Sequence, residues 1–527
     1  MSVKSQLPKV VTGGVIVMAI VVVACQGFVD AQQQKLSQKG RCAEENLLSL
    51  LAETSPADLT ENELEFLAKA AVSENQANAD QAIEQLRAAG QAGLDALFNT
   101  HRATIEQART AASQPFSFGA SAWESPELAR LKRALEAVSR QYDAHASCLF
   151  WHTDLEAAKS EAQSTGKPIL SLRLLGKLDE ECSCANSRFF RTALYANNQV
   201  ADHLRNNFVL HWKSVRPVPK ITIDFGDGRV MERTITGNSI HYVLTPDGRL
   251  VDGLPGLYGP QAFLNNLSQI QEFTARMLVS APETQDAMLK RYHADSATSL
   301  AAQMRSDLAA VEAATVEAST AEATENVSAE TIVVKAVVTN SDVGGSINAA
   351  QAGELAFGKS FIETPILTAM SITAEDARSN AELTESISDE MWTRIAALHS
   401  DNSRLDESSV ALMREHQPNA VVASALTVSK ARIEDPMVRI VTNFERSIAE
   451  DTVRNEYIFR RQIHEWFALA DVPPREVDPF NERVYAQLFL TPSSDPWLGL
   501  MSGEYSALRA DGLQPATAIG SPKVNHQ

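Results

Sequence analysis

The chain reads as mainly α with one α/β domain in its middle, and three observations predict that class. Residues 151–272 carry helix and strand signals in the order α-β-α-β, an inserted hairpin, then β-β-α. The stretches on either side place apolar residues at three- and four-residue spacing, the period of an amphipathic helix. Hydrophobic residues make up 44% of the 527-residue chain, enough for large cores, and that length suggests about two to four domains.

Charge narrows the expected partners. The 47 Lys+Arg stand against 66 Asp+Glu, a net charge of −19 that repels phosphate backbones, so no nucleic acid is expected. Five cysteines in so long a chain also exclude a small disulfide-stapled scaffold.

The N-terminus has the pattern of an export signal. Lys4 and Lys9 flank an uncharged apolar stretch, Val10 to Ala24, which is shorter than the roughly 20 residues of a transmembrane helix. Three outcomes stay open. Val22-Val23-Ala24-Cys25 resembles a bacterial lipobox, in which Cys25 is lipidated. Val29-Asp30-Ala31 offers a small-residue cleavage site that releases a soluble protein, and an uncut segment would remain as an anchor. All three expect residues 1–31 to direct the rest to the cell envelope, as a periplasmic, membrane-anchored or secreted protein in an oxidising compartment.

Residues 32–145 read as a helical region. Ala82 to Gly90 and Ala92 to Phe98 resemble one helix–glycine–helix unit of a HEAT-type repeat, without a second copy at a fixed period. Residues 276–345 read as a low-complexity acidic linker: no basic residue lies between Arg305 and Lys335, and no Phe, Trp or Tyr between His293 and Ala356. Such a stretch buries too little apolar area to offset its ordering entropy. Within it, Thr331 to Val338 reads as an isolated β segment. Residues 346–527 read as a helical C-terminal domain, with helices over Asp389 to Leu398, Val438 to Leu469 and Asn481 to Leu490.

Residues 146–275 form the expected α/β domain. Thr153-Asp154-Leu155-Glu156 is a capping box with Thr153 as the cap, and its helix ends at Gly166 before Pro168. Ile169 to Leu175 reads as a buried strand, and Cys182-Ser183-Cys184 precedes a helix from Ala185 to Tyr195. A strand at Phe208 to Trp212 follows, then a hairpin turning on Gly226-Asp227-Gly228, a strand from Ile240 to Leu244, another strand, and a helix from about Pro260.

This order resembles the thioredoxin-like family. The resemblance rests on Trp151, Gly166-Lys167-Pro168, the cysteines opening a helix, Asn207-Phe208-Val209, Leu244-Thr245-Pro246-Asp247-Gly248 and Gly256-Leu257-Tyr258-Gly259. It implies an α/β thioredoxin-like central domain flanked by all-α regions, with Cys182 and Cys184 as the catalytic pair of a thiol–disulfide oxidoreductase or isomerase. Protein substrates or partner thiols would be its partners. A helix N-terminus favours the thiolate that such exchange needs. Two departures stand out: the spacing is Cys-x-Cys, and Ser239 stands where the family carries its cis-proline. Asp179, Glu180 and Glu181 also precede the cysteines, and their charge opposes thiolate formation. The alternative is a redox-inactive thioredoxin-fold scaffold for protein–protein interaction. With Cys182 and Cys184 paired, Cys42 and Cys148 are the candidate structural disulfide.

No cofactor or metal is expected. His464-Glu465 lacks a second histidine four positions on, where Ala468 stands, and His152, His203, His211 and His241 have no ligand spacing on one helix.

Overall fold

Ile169–Leu175 is buried at all seven positions, the mark of a strand covered on both faces. It is the centre of the protein's sheet. The computed structural model describes residues 46–113, 125–181, 183–234, 237–322, 387–416 and 436–495. The protein is mainly helical. It divides into two compact units, one taking the chain up to Ala103 with Ser125–Val138, the other Thr104–Glu124 with everything from Ser139 on. The N-terminal signal of residues 1–31 with Cys25, Cys42, the β segment at 331–338 and Cys182 lie outside the described residues.

In the first unit, α1 (Glu61–Ala70) opens on a capping box between Thr60 and Glu63. Next come α2 (Gln76–Ala88) and α3 (Gln91–Thr100), the helix–glycine–helix unit of the sequence. Two glycines make that join. Gly90 takes φ +68°, and a Cβ on Gly93 would lie 2.0 Å from the Leu86 carbonyl oxygen, so only glycine lets the helices meet so closely. The helix α4 (Arg102–Ser113) passes into the second unit at Thr104, and α5 (Pro126–Ser139) returns the chain to the first.

The second unit holds the sheet. Its strands are β1 (Trp151–His152), β2 (Ile169–Leu175), β3 (Val209–Arg216), β6 (Ser239–Leu244) and β7 (Leu250–Pro255), in the order β1-β3-β2-β6-β7. β3 runs parallel to β1 and β2, whereas β6 is antiparallel to β2 and to β7. β4 (Lys220–Asp224) and β5 (Val230–Thr234) form a separate hairpin. The helix α6 (Leu155–Thr165) starts one residue later than the capping box suggests: Asp154, not Thr153, is the cap, its carboxylate accepting from the Ala157 N–H at 2.8 Å. Aspartate is a better cap than threonine, and its charge suits the helix N-terminus. Gly166 ends that helix at φ +71°.

The helix α7 (Ala185–Phe189) runs on into a π turn, Phe190–Leu194, and precedes α8 (Asn198–Asn207). After β7 come α9 (Pro260–Leu278) and α10 (Pro282–Glu322). The latter differs from the expected linker. It buries Leu289, His293, Met304, Asp307 and Val311. Its alanines favour helix, and its few apolar residues form a seam that packs with Tyr292 stacked on Phe273 of α9.

The C-terminal helices are α11 (Asp389–Leu398), α12 (Glu407–Glu415), α13 (Pro436–Arg454), α14 (Arg461–Leu469) and α15 (Val477–Gln487), with a π turn, Asn455–Arg460, between α13 and α14. The last four share one hydrophobic core with the sheet, where Leu172, Tyr242 and Phe263 join Phe467, Phe480 and Tyr485, whereas Trp392 and Ile395 of α11 pack in a separate core with Met304 and Val311 of α10. Arg173, buried in the central strand, donates to the Asp478 carboxylate of α15 at 3.0 Å. β7 is an edge strand, yet it is buried throughout, and the π turn covers it.

Candidate functional site

The cysteine pair of the sequence is represented by Cys184. It is the N-cap of α7, just beyond the loop that leaves β2, and its Sγ accepts from the Ser187 N–H at 3.4 Å. The side chain is fully buried. The preceding loop is fastened by Arg191, whose guanidinium donates to the carbonyls of Glu180 and Glu181 at 2.5 and 2.8 Å. That group also stands 3.4 Å from the Asp143 carboxylate and over the Tyr142 ring. The acidic run therefore meets a guanidinium through its backbone, and Asp179 pairs with Arg140 at 3.7 Å. Burial, with Arg140 opposing it, pushes the Asp179 carboxyl up.

Ser239 lies beside this helix. Asn186 donates to its hydroxyl at 2.7 Å, and its carbonyl accepts from the Gly256 N–H. Over the same place sits the chain's own C-terminal segment. Tyr485 donates to the Asn238 carbonyl at 3.0 Å, and Asn238 donates to the Thr491 hydroxyl at 3.1 Å. Burial, then the neighbouring Cys184, push the Tyr485 hydroxyl well above its usual range. Cys148 is also buried, at φ +52° as the C-cap of a short helical turn, Ala144–Ser147.

Of the four histidines of the middle segment, His211 takes part in a hydrogen bond with Ser171 and His241 in one with Tyr195. Burial brings each to about 3. Neither belongs to a ligand cluster among the described residues.

A different cluster does form, and the sequence did not reveal it. Asp252 of β7, His293 of α10 and His464 of α14 are fully buried, and one ligand atom from each lies within 4.8 Å of the others. The two Nδ1 atoms stand 2.6 Å apart. His293 Nε2 lies 2.9 Å from the Val251 carbonyl oxygen, which can only accept, so that nitrogen carries the ring proton. His293 Nδ1 then presents a lone pair and His464 Nδ1–H donates to it. His464 Nε2 is buried without a hydrogen-bond partner among the described residues.

Asp252 is held from its other side. Tyr292 donates to its Oδ2 at 2.8 Å, Arg460 approaches the same oxygen at 3.4 Å, and the Gly253 N–H donates to Oδ1 at 2.7 Å. Burial pushes this carboxyl up, but the His464 ring when it is protonated, Arg460 and the Tyr292 hydroxyl outweigh it and hold it below its ordinary value. Burial takes His293 down to about 4 and His464 well below its usual value. At neutral pH the cluster is one carboxylate and two neutral imidazoles. No helix among the described residues is long and apolar enough to cross a membrane. Comparison with family models, curated proteins and solved structures finds none that matches the chain.

Proposed function

We propose that the chain is an exported, envelope-associated protein whose thioredoxin-like central domain serves as a redox-inactive scaffold for protein–protein interaction. One observation carries this reading: Cys184 is fully buried, with its sulfur engaged as the cap of α7. Thiol–disulfide exchange needs a thiolate that an incoming disulfide can reach in line. Tyr485 and Thr491 fasten the chain's own C-terminal segment over the adjoining Asn238, where the family resemblance would put the peptide substrate.

The thioredoxin-like assignment draws support from the order β1-β3-β2-β6-β7, the helix that follows β2, and the contact of Ser239 with Asn186 on that helix. Export rests on the basic and apolar pattern of residues 1–31, through which any membrane contact would run. Thiol–disulfide exchange through Cys182 and Cys184 is the second reading, favoured by Cys184 standing at a helix N-terminus.

Insulin-disulfide reduction separates the two. The scaffold reading expects wild type, Cys182→Ser and Cys184→Ser all to match buffer. Turnover by wild type that either substitution abolishes would overturn it.

A further inference from the structure

We propose that Asp252, His293 and His464 bind a single zinc-type divalent transition-metal ion, tying the edge strand β7 to α10 and α14. The ligand types suit such an ion, which takes imidazole nitrogen and carboxylate oxygen at about 2.0–2.2 Å. The site is independent of Cys182 and Cys184, so it stands or falls apart from the scaffold reading.

Three features of the geometry carry it. First, His293 gives its Nε2–H to a backbone carbonyl, which fixes the ring and aims the Nδ1 lone pair at the cluster. Metal-bound histidines are held in this way. Second, the spacing brackets a tetrahedral site. Bonds of about 2.0 Å put neighbouring ligand atoms about 3.3 Å apart. The two Nδ1 atoms are closer than that, at 2.6 Å, and His464 Nδ1 to Asp252 Oδ1 is longer, at 4.0 Å. A shift of about 0.7 Å in each direction reaches the metal-bound spacing. Third, the surrounding charge favours a cation: Asp252 and Glu456 are two carboxylates, and Arg460, bound to both, is one guanidinium.

Binding requires the proton between the two Nδ1 atoms to leave. The His464 ring then carries its proton on Nε2, the nitrogen that has no hydrogen-bond partner among the described residues, and both Nδ1 lone pairs face the ion. Three protein ligands leave a fourth position for water.

The full chain, stripped with a chelator, is titrated with Zn²⁺ alone and with Co²⁺ as a spectroscopic probe. The expected result is one tightly bound equivalent, a tetrahedral Co²⁺ spectrum, and a higher melting temperature with metal. His293→Gln and His464→Gln should weaken binding by at least about 100-fold, while His241→Gln, a buried histidine elsewhere, should bind as wild type does. Absence of a bound equivalent in wild type, or equal binding by the two folded ligand variants, would overturn the site. X-ray absorption on zinc-loaded wild type keeps the test valid if the variants do not fold: two imidazoles in the first shell support it, and sulfur there refutes it.

Discussion

Gly256 and Asn455 meet so closely that a Cβ on the glycine would lie 2.6 Å from the asparagine's side-chain amide. Gly256 also takes φ +77°, and Asn455 donates to the Leu257 carbonyl at 2.7 Å. The end of β7 is thereby fitted to the π turn that covers it. Three residues on, a Cβ on Gly259 would lie 2.3 Å from the Asn402 carbonyl oxygen.

Gly256→Ala is therefore expected to destabilise by about 2–4 kcal/mol, combining left-handed strain with overpacking. Gly166→Ala is the control. Gly166 has φ +71° but nothing within 4 Å of the added Cβ, so it should cost only about 1 kcal/mol. Urea midpoints of the two variants measure the difference, and equal losses would mean that the contact with Asn455 contributes nothing.

Much of this fold can be read from the residues, because local physics decides it. The run Ile169 to Leu175 has to be a strand buried on both faces, and Gly166 has to end a helix. The place of Cys184 at the mouth of α7 is legible for the same reason. Its burial is not, since the segment above it is held by Tyr485 and Thr491, far along the chain. The Asp252–His293–His464 cluster is less legible still. His293 lies in a stretch whose composition suggests a linker, and His464 lacks a local ligand partner. Only tertiary packing brings them together, and no spacing rule along one helix could have found them.

Arg460 holds two carboxylates in the interior. Removing it leaves Asp252 and Glu456 without their guanidinium, and breaking a buried pair from one side costs about 3–5 kcal/mol. Arg460→Met is expected to lower the unfolding free energy from urea titration by that amount. A loss below about 1 kcal/mol, the scale of an exposed pair, would contradict it.

Stability should depend on pH through Asp143 and His416, whose carboxylate and ring meet at 2.9 Å. Burial pushes the Asp143 carboxyl up, but His416 and Arg191 overcome this, and it lies below its ordinary 3.8. Burial lowers His416, yet Asp143 and Glu415 win and raise it above 6.5. The Asp143 contribution is present above pH 3.8 and is lost as pH falls through its lowered folded value. The His416 contribution is complete below pH 6.5 and is lost as pH rises through its raised folded value. His416→Gln should therefore flatten the loss of stability expected of wild type as pH rises above 6.5. Parallel curves for the two proteins would remove this linkage.

The scaffold reading depends on Cys184 being out of reach of any reagent while the protein is folded. Mass-resolved alkylation of the native chain tests this most directly, with the rate at Cys184 followed across a urea series. The expected result is protection in water and labelling that appears only with global unfolding. Rapid alkylation of Cys184 in the folded protein would contradict the account and return the site to thiol chemistry.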